Sequence, residues 1–217
     1  MPFIRLIGRG LSDTLEQLLP FTLLTLAWWL CALLIVPLGP ATIALFASTD
    51  PRRLSVSFEW EETVAIARRS WRRGWLILLA TMPPILVLLW NLHAYGIGQS
   101  RLVVLVPLWT TLLPLFVGLA IVALAVAALL DLAAGPALRH ATTLVLRRPL
   151  RALLLVVLLG LLFALGAVLV VPLFMFVPAM AAAIVNRVVL DHLGIAVADP
   201  LAPTDERQHE ERTEGAA

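Results

Sequence analysis

Long uncharged apolar runs alternate along this chain with short segments that hold most of its arginine. From Leu18 to Pro37 there is no charged side chain, and about 20 such residues are what an α-helix needs to cross a hydrocarbon core of roughly 30 Å. The pattern predicts a first membrane span over residues 18–38. Pro37 and Pro40 bracket Leu38-Gly39. Because proline lacks a backbone donor and restricts the residue before it, a regular helix should bend or stop near Leu38. Ala41, Ala44 and Ala47 then let another backbone come close, so residues 40–48 read as a re-entrant or interfacial piece.

The later runs predict four more spans. Residues 75–92 form the second, broken in character at Pro83-Pro84. Asn91, His93 and Tyr95 mark an outer interface after it, and Gly96 and Gly98 mark a turn. Residues 102–130 form the third, with Pro107 and Pro114 as candidate kinks; Asp131 ends the uncharged part and Gly135-Pro136 ends the helix. Ala152 to Val189 is 38 residues, about 57 Å as one helix and too long for one crossing. It is therefore read as a hairpin turning near Val171-Pro172, with spans at 152–171 and 173–190 that end near Asn186 to Leu190. The fold class that follows is all-α: a polytopic transmembrane helix bundle of about five spans over residues 15–192. An amphipathic segment over residues 1–14, with Ser12 and Asp13 as a helix cap, precedes it. A charged tail over residues 193–217 with no apolar period reads as disordered.

Charge placement sets the expected topology. Thr49 to Gly74 carries Arg52, Arg53, Arg68, Arg69, Arg72 and Arg73, and Ala137 to Arg151 carries Arg139, Arg147, Arg148 and Arg151. By the positive-inside rule both segments are cytoplasmic, which puts the N-terminus outside and the C-terminus inside. Within the first, Trp60, Val64, Ala67, Trp71 and Trp75 recur at helical spacing and predict an amphipathic interfacial helix. Asp50-Pro51 and Ser57 offer helix starts for it. Small residues at helical spacing, Gly160 with Ala164, Ala123 with Ala127 and Ala179 with Ala183, are the expected packing contacts. Proline followed by alanine at Pro40, Pro136 and Pro178 is a weak internal echo at the exits of inward-running helices.

Composition narrows the chemistry. At 61% hydrophobic and 14% charged residues the chain is an integral membrane protein. The apolar run from Leu18 exceeds a signal-peptide core, so the segment is expected to remain attached. All sixteen basic residues are arginine, which excludes a Walker A loop and Schiff-base chemistry. Cys31 is the single cysteine, so neither a disulfide framework nor a cysteine metal cluster is available. The four histidines, at 93, 140, 192 and 209, lack metal-ligand spacing and read as interface or solvent groups.

Three stretches carry a family resemblance: Pro37 to Leu45 (PLGPATIAL), Phe58 to Trp75 (FEWEETVAIARRSWRRGW) and Leu138 to Leu153 (LRHATTLVLRRPLRAL). In order and spacing the chain resembles the YesL-like family of bacterial integral membrane proteins. The motif residues are Pro37, Gly39, Pro40, Ala41, Thr42, Ala44 and Leu45; the chain departs from the family in having Leu38 where a threonine stands. The resemblance implies a multi-pass protein of the bacterial cytoplasmic membrane, often encoded near carbohydrate uptake genes, and implies no reaction.

Between the predicted interfaces the runs hold no Asp, Glu, Lys, Arg or His. Coupled transporters rely on such groups at depth, so a proton-coupled carrier is disfavoured. Asp131 and Asp191 sit at predicted helix ends, where pairing with Arg139 or Arg187 is the plain explanation. Asn91 and Asn186 are the other polar candidates at helix ends. Trp60, Trp71 and Trp75 suit a membrane anchor, and Arg68, Arg69, Arg72 and Arg73 suit contact with anionic lipid head groups. With no nucleophile–base pair or paired carboxylates at one depth, the expectation is a non-enzymatic accessory. It would have no cofactor or nucleic-acid partner, and would act through lipid or a second membrane protein such as a sugar transporter subunit. An uncoupled small-solute permease or channel is the competing expectation, since proline-broken helices expose carbonyls to a cavity.

Overall fold

The computed structural model describes residues 7–9, 18–53, 59–96, 104–169, 175–195 and 197. Among them every regular element is helical. The order is α1 (Leu18–Leu34), α2 (Leu38–Ser48), α3 (Trp60–Arg69), α4 (Trp71–Gly96), α5 (Val106–Leu129), α6 (Ala134–Arg147), α7 (Pro149–Leu169) and α8 (Val177–Leu193). The caps expected at Ser12, Asp13 and Ser57, the turn at Val171-Pro172, the Gly98 turn and the tail from residue 198 lie outside the described residues.

Three helices are long and apolar enough to cross a membrane: α4, α5 and α7. At 26, 24 and 21 residues they extend about 39, 36 and 32 Å. α1 and α8, at 17 residues each, extend about 25 Å, the lower end of a crossing. Apolar side chains point outward on α1, α4 and α7, among them Leu33 at 83%, Trp90 at 70% and Val168 at 81% exposure. In water such a surface would be a severe liability; against hydrocarbon it costs nothing.

α8 is the axis. From Val177 to Leu190 only Met180 is not buried, and α1, α2, α5 and α7 all pack on it. Ala179, Ala181, Ala182 and Ala183 make that possible, because without bulk on any side the surrounding helices come close. The helix stops at Gly194 (φ 71), whose N–H donates to Asp191 O at 3.2 Å while that of Ile195 donates to Leu190 O at 3.0 Å. This pair of bonds needs the left-handed conformation glycine tolerates.

α2 is the hub. It packs on α1, α3, α4, α5 and α8 and is buried along Ile43 to Ala47. Its start comes from the proline pair. Pro37 cannot continue α1, whose last residue is Leu34, and the chain turns through Ile35 at φ 59 before α2 begins. The helix therefore ends four residues before the expected end near Leu38, and the piece after the break is a packed helix of 11 residues.

Several expectations are corrected. Pro83 and Pro84 lie inside the single helix α4, because a bundle tolerates the lost backbone bonds that isolate a proline in water. Gly135-Pro136 does not end a helix; both lie in the first turn of α6, where unpaired N–H groups make proline harmless. Pro40 and Pro178 likewise sit in the first turns of α2 and α8, so the proline–alanine echo marks helix starts, not exits. The second basic segment is largely helical, with Ala137, Ala141 and Val145 of α6 turned inward. Ala123, Ala127, Ala179 and Ala183 are buried as expected, whereas Gly160 and Ala164 are exposed on α7.

Candidate functional site

The polar side chains gather at the end of the bundle that carries α3, α6 and the starts of α4 and α7. Most of them are bound to one another. Asn186 holds the centre: its Nδ2 donates to Phe46 O at 2.8 Å and to Thr49 Oγ1 at 3.1 Å, and Thr49 Oγ1 donates to Leu45 O at 2.9 Å. Leu45 O also accepts from Thr49 N at 3.0 Å, so it is Phe46 O, otherwise reached only by Thr49 Oγ1 at 3.4 Å, that depends most on Asn186 in this apolar core. Asn186 Oδ1 is buried without a hydrogen-bond partner.

Asp50 follows directly, buried at 4% exposure. Its carboxylate accepts from Arg52 N at 3.0 Å, Arg52 Nε at 3.0 Å and Arg52 Nη2 at 2.7 Å. That Nη2 also donates to Leu129 O at 2.9 Å, closing the C-terminus of α5. The carboxylate's hydrogen bond and charge hold the Arg52 guanidinium above its ordinary pKa. Arg53 pairs with Glu62 at 2.6 Å on the exposed side, and Ser48 Oγ lies 3.0 Å from Thr63 Oγ1.

Arg73 bridges α4 to the α5–α6 connection. It donates to Asp131 and, at 2.8 Å, to Ser70 Oγ. Asp131 adopts φ 49, a left-handed conformation aspartate tolerates better than most residues. The hydrogen bond from Arg73, reinforced by the charges of Arg73, Arg69 and Arg53, holds its carboxyl below the usual carboxylate range. A depressed pKa contributes stability above the unfolded value, lost as pH falls through the folded one. Asp131→Asn should therefore lower stability by no more than about 1 kcal/mol at neutral pH, since the carboxylate is exposed. It should also flatten the acid limb below about pH 4, read from denaturation midpoints between about pH 3 and pH 7.

The predicted site residues divide into three groups. Gly39 and Pro40 lie at a backbone crossing: a Cβ on Gly39 would stand 2.9 Å from Gly74 C, and one on Gly74 2.6 Å from Gly39 C. Ala44 and Leu45 are buried, Pro37 and Ala41 partly so, and Thr42 Oγ1 accepts from Trp28 Nε1 at 3.0 Å. The motif residues thus serve packing.

The interfacial group differs from expectation. Trp60 and Trp71 are exposed, but on separate helices divided at Ser70; the face of α3 that packs inward carries Thr63 and Ile66, not the tryptophan stripe. Aromatic spacing across a helix break does not define one face. Trp75 donates from Nε1 to Val36 O at 2.8 Å, serving the carbonyl freed where α1 breaks. Arg68, Arg69 and Arg72 point outward, whereas Arg73 is taken by Asp131.

The helix-end group is partly redrawn. Asn91 is half-buried near the end of α4, and Asp131 follows α5 directly. Asn186 is not at a helix end: α8 continues to Leu193, leaving Asn186 and the adjoining Arg187 buried at 0% and 4% exposure. The apolar run hid this: Asn186 and Arg187 are enclosed by neighbouring helices, and α8 becomes partly exposed only from Asp191 onward. Asp131 pairs with Arg73 and not Arg139, and Asp191 lies 3.6 Å from Arg151. Partners 58 and 40 residues apart carry no local sequence signal.

Deeper in the bundle is a cavity of about 190 Å³ between α1, α2, α5, α7 and α8, walled by Leu45, Phe46, Leu159, Phe163 and Ala182. Its polar side chains, Trp28 and Thr42, are bonded to each other. Among the described residues no three of His, Cys, Asp and Glu converge as metal ligands would. Comparison with protein-family models, curated proteins and solved structures found no match.

Proposed function

We propose that this protein is a non-enzymatic component of the bacterial cytoplasmic membrane that engages a second membrane protein through its arginine-bearing end. That end faces the cytoplasm in this reading, with the N-terminus outside and the C-terminus inside. The observation that carries it is the division of labour among charges. Asp50–Arg52, Arg73–Asp131 and Arg151–Asp191 join parts of the fold, while Arg68, Arg69 and Arg72 point outward beside Trp60 and Trp71. Charged groups already paired with one another are poorly placed to move protons or attack a substrate; an exposed arginine–tryptophan surface suits contact with lipid head groups and acidic protein segments. The YesL-like resemblance makes a sugar transporter subunit the first partner to examine.

Purification of the tagged full chain from mild detergent should recover a membrane partner in stoichiometric amount, lost in Arg68→Glu/Arg69→Glu/Arg72→Glu. Recovery of the protein alone would count against the proposal. The cavity is the feature that favours the permease alternative. Its mutually bonded Trp28 and Thr42 leave a sugar or ion little to replace its hydration, so proteoliposomes should show no saturable solute flux.

A further inference from the structure

At the arginine-bearing end, α5, α6, α7 and α8 line an open niche of about 20 Å³. Its rim carries Arg148, Arg151 and His192; its floor is apolar, formed by Val122, Leu155 and Val188 among others. The volume admits one water-sized group. Arg148 stands at the C-cap of α6, where the chain turns into α7. Arg151 is only loosely engaged, at 3.6 Å from Asp191. His192 directs Nδ1 at Val188 O, 2.7 Å away, which leaves Nε2 as the ring's remaining polar atom.

Two arginines and an imidazole over an apolar floor fit an anion whose own body is apolar on one side. We propose that this niche binds the phosphate of an anionic membrane phospholipid, one phosphate oxygen entering between Arg148, Arg151 and His192. A guanidinium offers paired donors in the plane a phosphate requires. A lipid is favoured over a soluble phosphate ester because the outer face of the same helix turns carries Leu150 and Leu154, both exposed. Acyl chains covering those leucines would hold the head group at the depth of the niche. Basic pockets between membrane helices on the cytoplasmic side are suited to such head groups. The site rests on the membrane reading of the chain but not on any protein partner, and it does not involve Arg68, Arg69 or Arg72.

The test uses the purified full chain alone, so the partner proposal can fail without touching this one. Native mass spectrometry from detergent, titrated with phosphatidylglycerol, should show tighter binding than with phosphatidylcholine. Arg148→Ala/Arg151→Ala should weaken phosphatidylglycerol binding about thirtyfold, about fivefold per arginine, while Arg139→Ala, on the exposed side of α6, stays within about twofold. Should the double variant not fold, Arg148→Gln, whose side chain is exposed, carries the test with a drop of about fivefold. Equal binding of the two lipids, or unchanged affinity in these variants, would overturn the site. Displacement by glycerol phosphate at equal concentration would overturn the lipid source and make the ligand a soluble phosphate.

Discussion

Gly74→Ala should cost the folded bundle about 3 kcal/mol, the top of the usual range for an added core methyl. The new Cβ would stand 2.6 Å from Gly39 C, 2.7 Å from Pro40 N and 2.8 Å from Gly39 O. All three are backbone atoms, one of them in a proline ring, so no side chain can rotate away and α2 must shift against α4. α2 also touches α1, α3, α5 and α8, and the shift would be felt throughout that end of the bundle. The other glycines supply an internal scale. Gly39→Ala meets the same crossing at 2.9 Å and should cost somewhat less. Gly118→Ala meets only Val156 Cγ2 at 3.1 Å, a side chain able to give way, and should stay within about 1 kcal/mol. Gly160→Ala, with nothing within 4 Å, should be neutral or slightly stabilising. Unfolding midpoints in mixed micelles would rank the four; a Gly74→Ala protein as stable as Gly160→Ala would show that the crossing is not tight.

Asn186→Asp should be as damaging by a different route. The amide nitrogen donates to Phe46 O and Thr49 Oγ1; a carboxylate there would have no proton to offer Phe46 O, inside a fully buried pocket. A penalty of about 3 kcal/mol at neutral pH follows from one buried charge beside the Phe46 carbonyl it can no longer serve. The sign of its pH dependence is distinctive. Burial against acceptors raises the folded-state pKa of the new carboxyl above its unfolded value, so the penalty shrinks as pH falls through that raised value and the protonated acid regains a donor. Asn186→Ala should cost about 2 kcal/mol for the lost pair of hydrogen bonds, without pH dependence. Melting curves between about pH 8 and pH 5 separate the two. If the aspartate variant behaves like alanine at every pH, Asn186 does not hold the end of α2.

These predictions fall on residues the sequence showed unequally. Gly39 lay within a readable motif, between two prolines that had to interrupt a helix. Gly74 lay in an arginine-rich stretch where glycine reads as a loop residue, and nothing local told that it meets Gly39. Asn186 was visible as the first polar residue after a long apolar run, and the natural reading of such a residue is an interface. That reading assumes every apolar run meets lipid at its end. α8 meets other helices instead as far as Leu190, so Asn186 lies inside the protein. The tryptophan stripe misled for a related reason: a helical period was carried through Ser70, where the helix stops.

What the sequence alone determined is the solvent and the class of fold. Long apolar runs with no charge read as helices shielded by hydrocarbon, because in lipid only helices and closed barrels satisfy their own backbone hydrogen bonds, and each proline marks a missing donor without fixing whether it starts, breaks or sits inside a helix. Only the tertiary structure decided which helix is central, which glycines touch and which charges pair. Those contacts join residues tens of positions apart, and a one-dimensional pattern records how polar a residue is, not what faces it across the bundle.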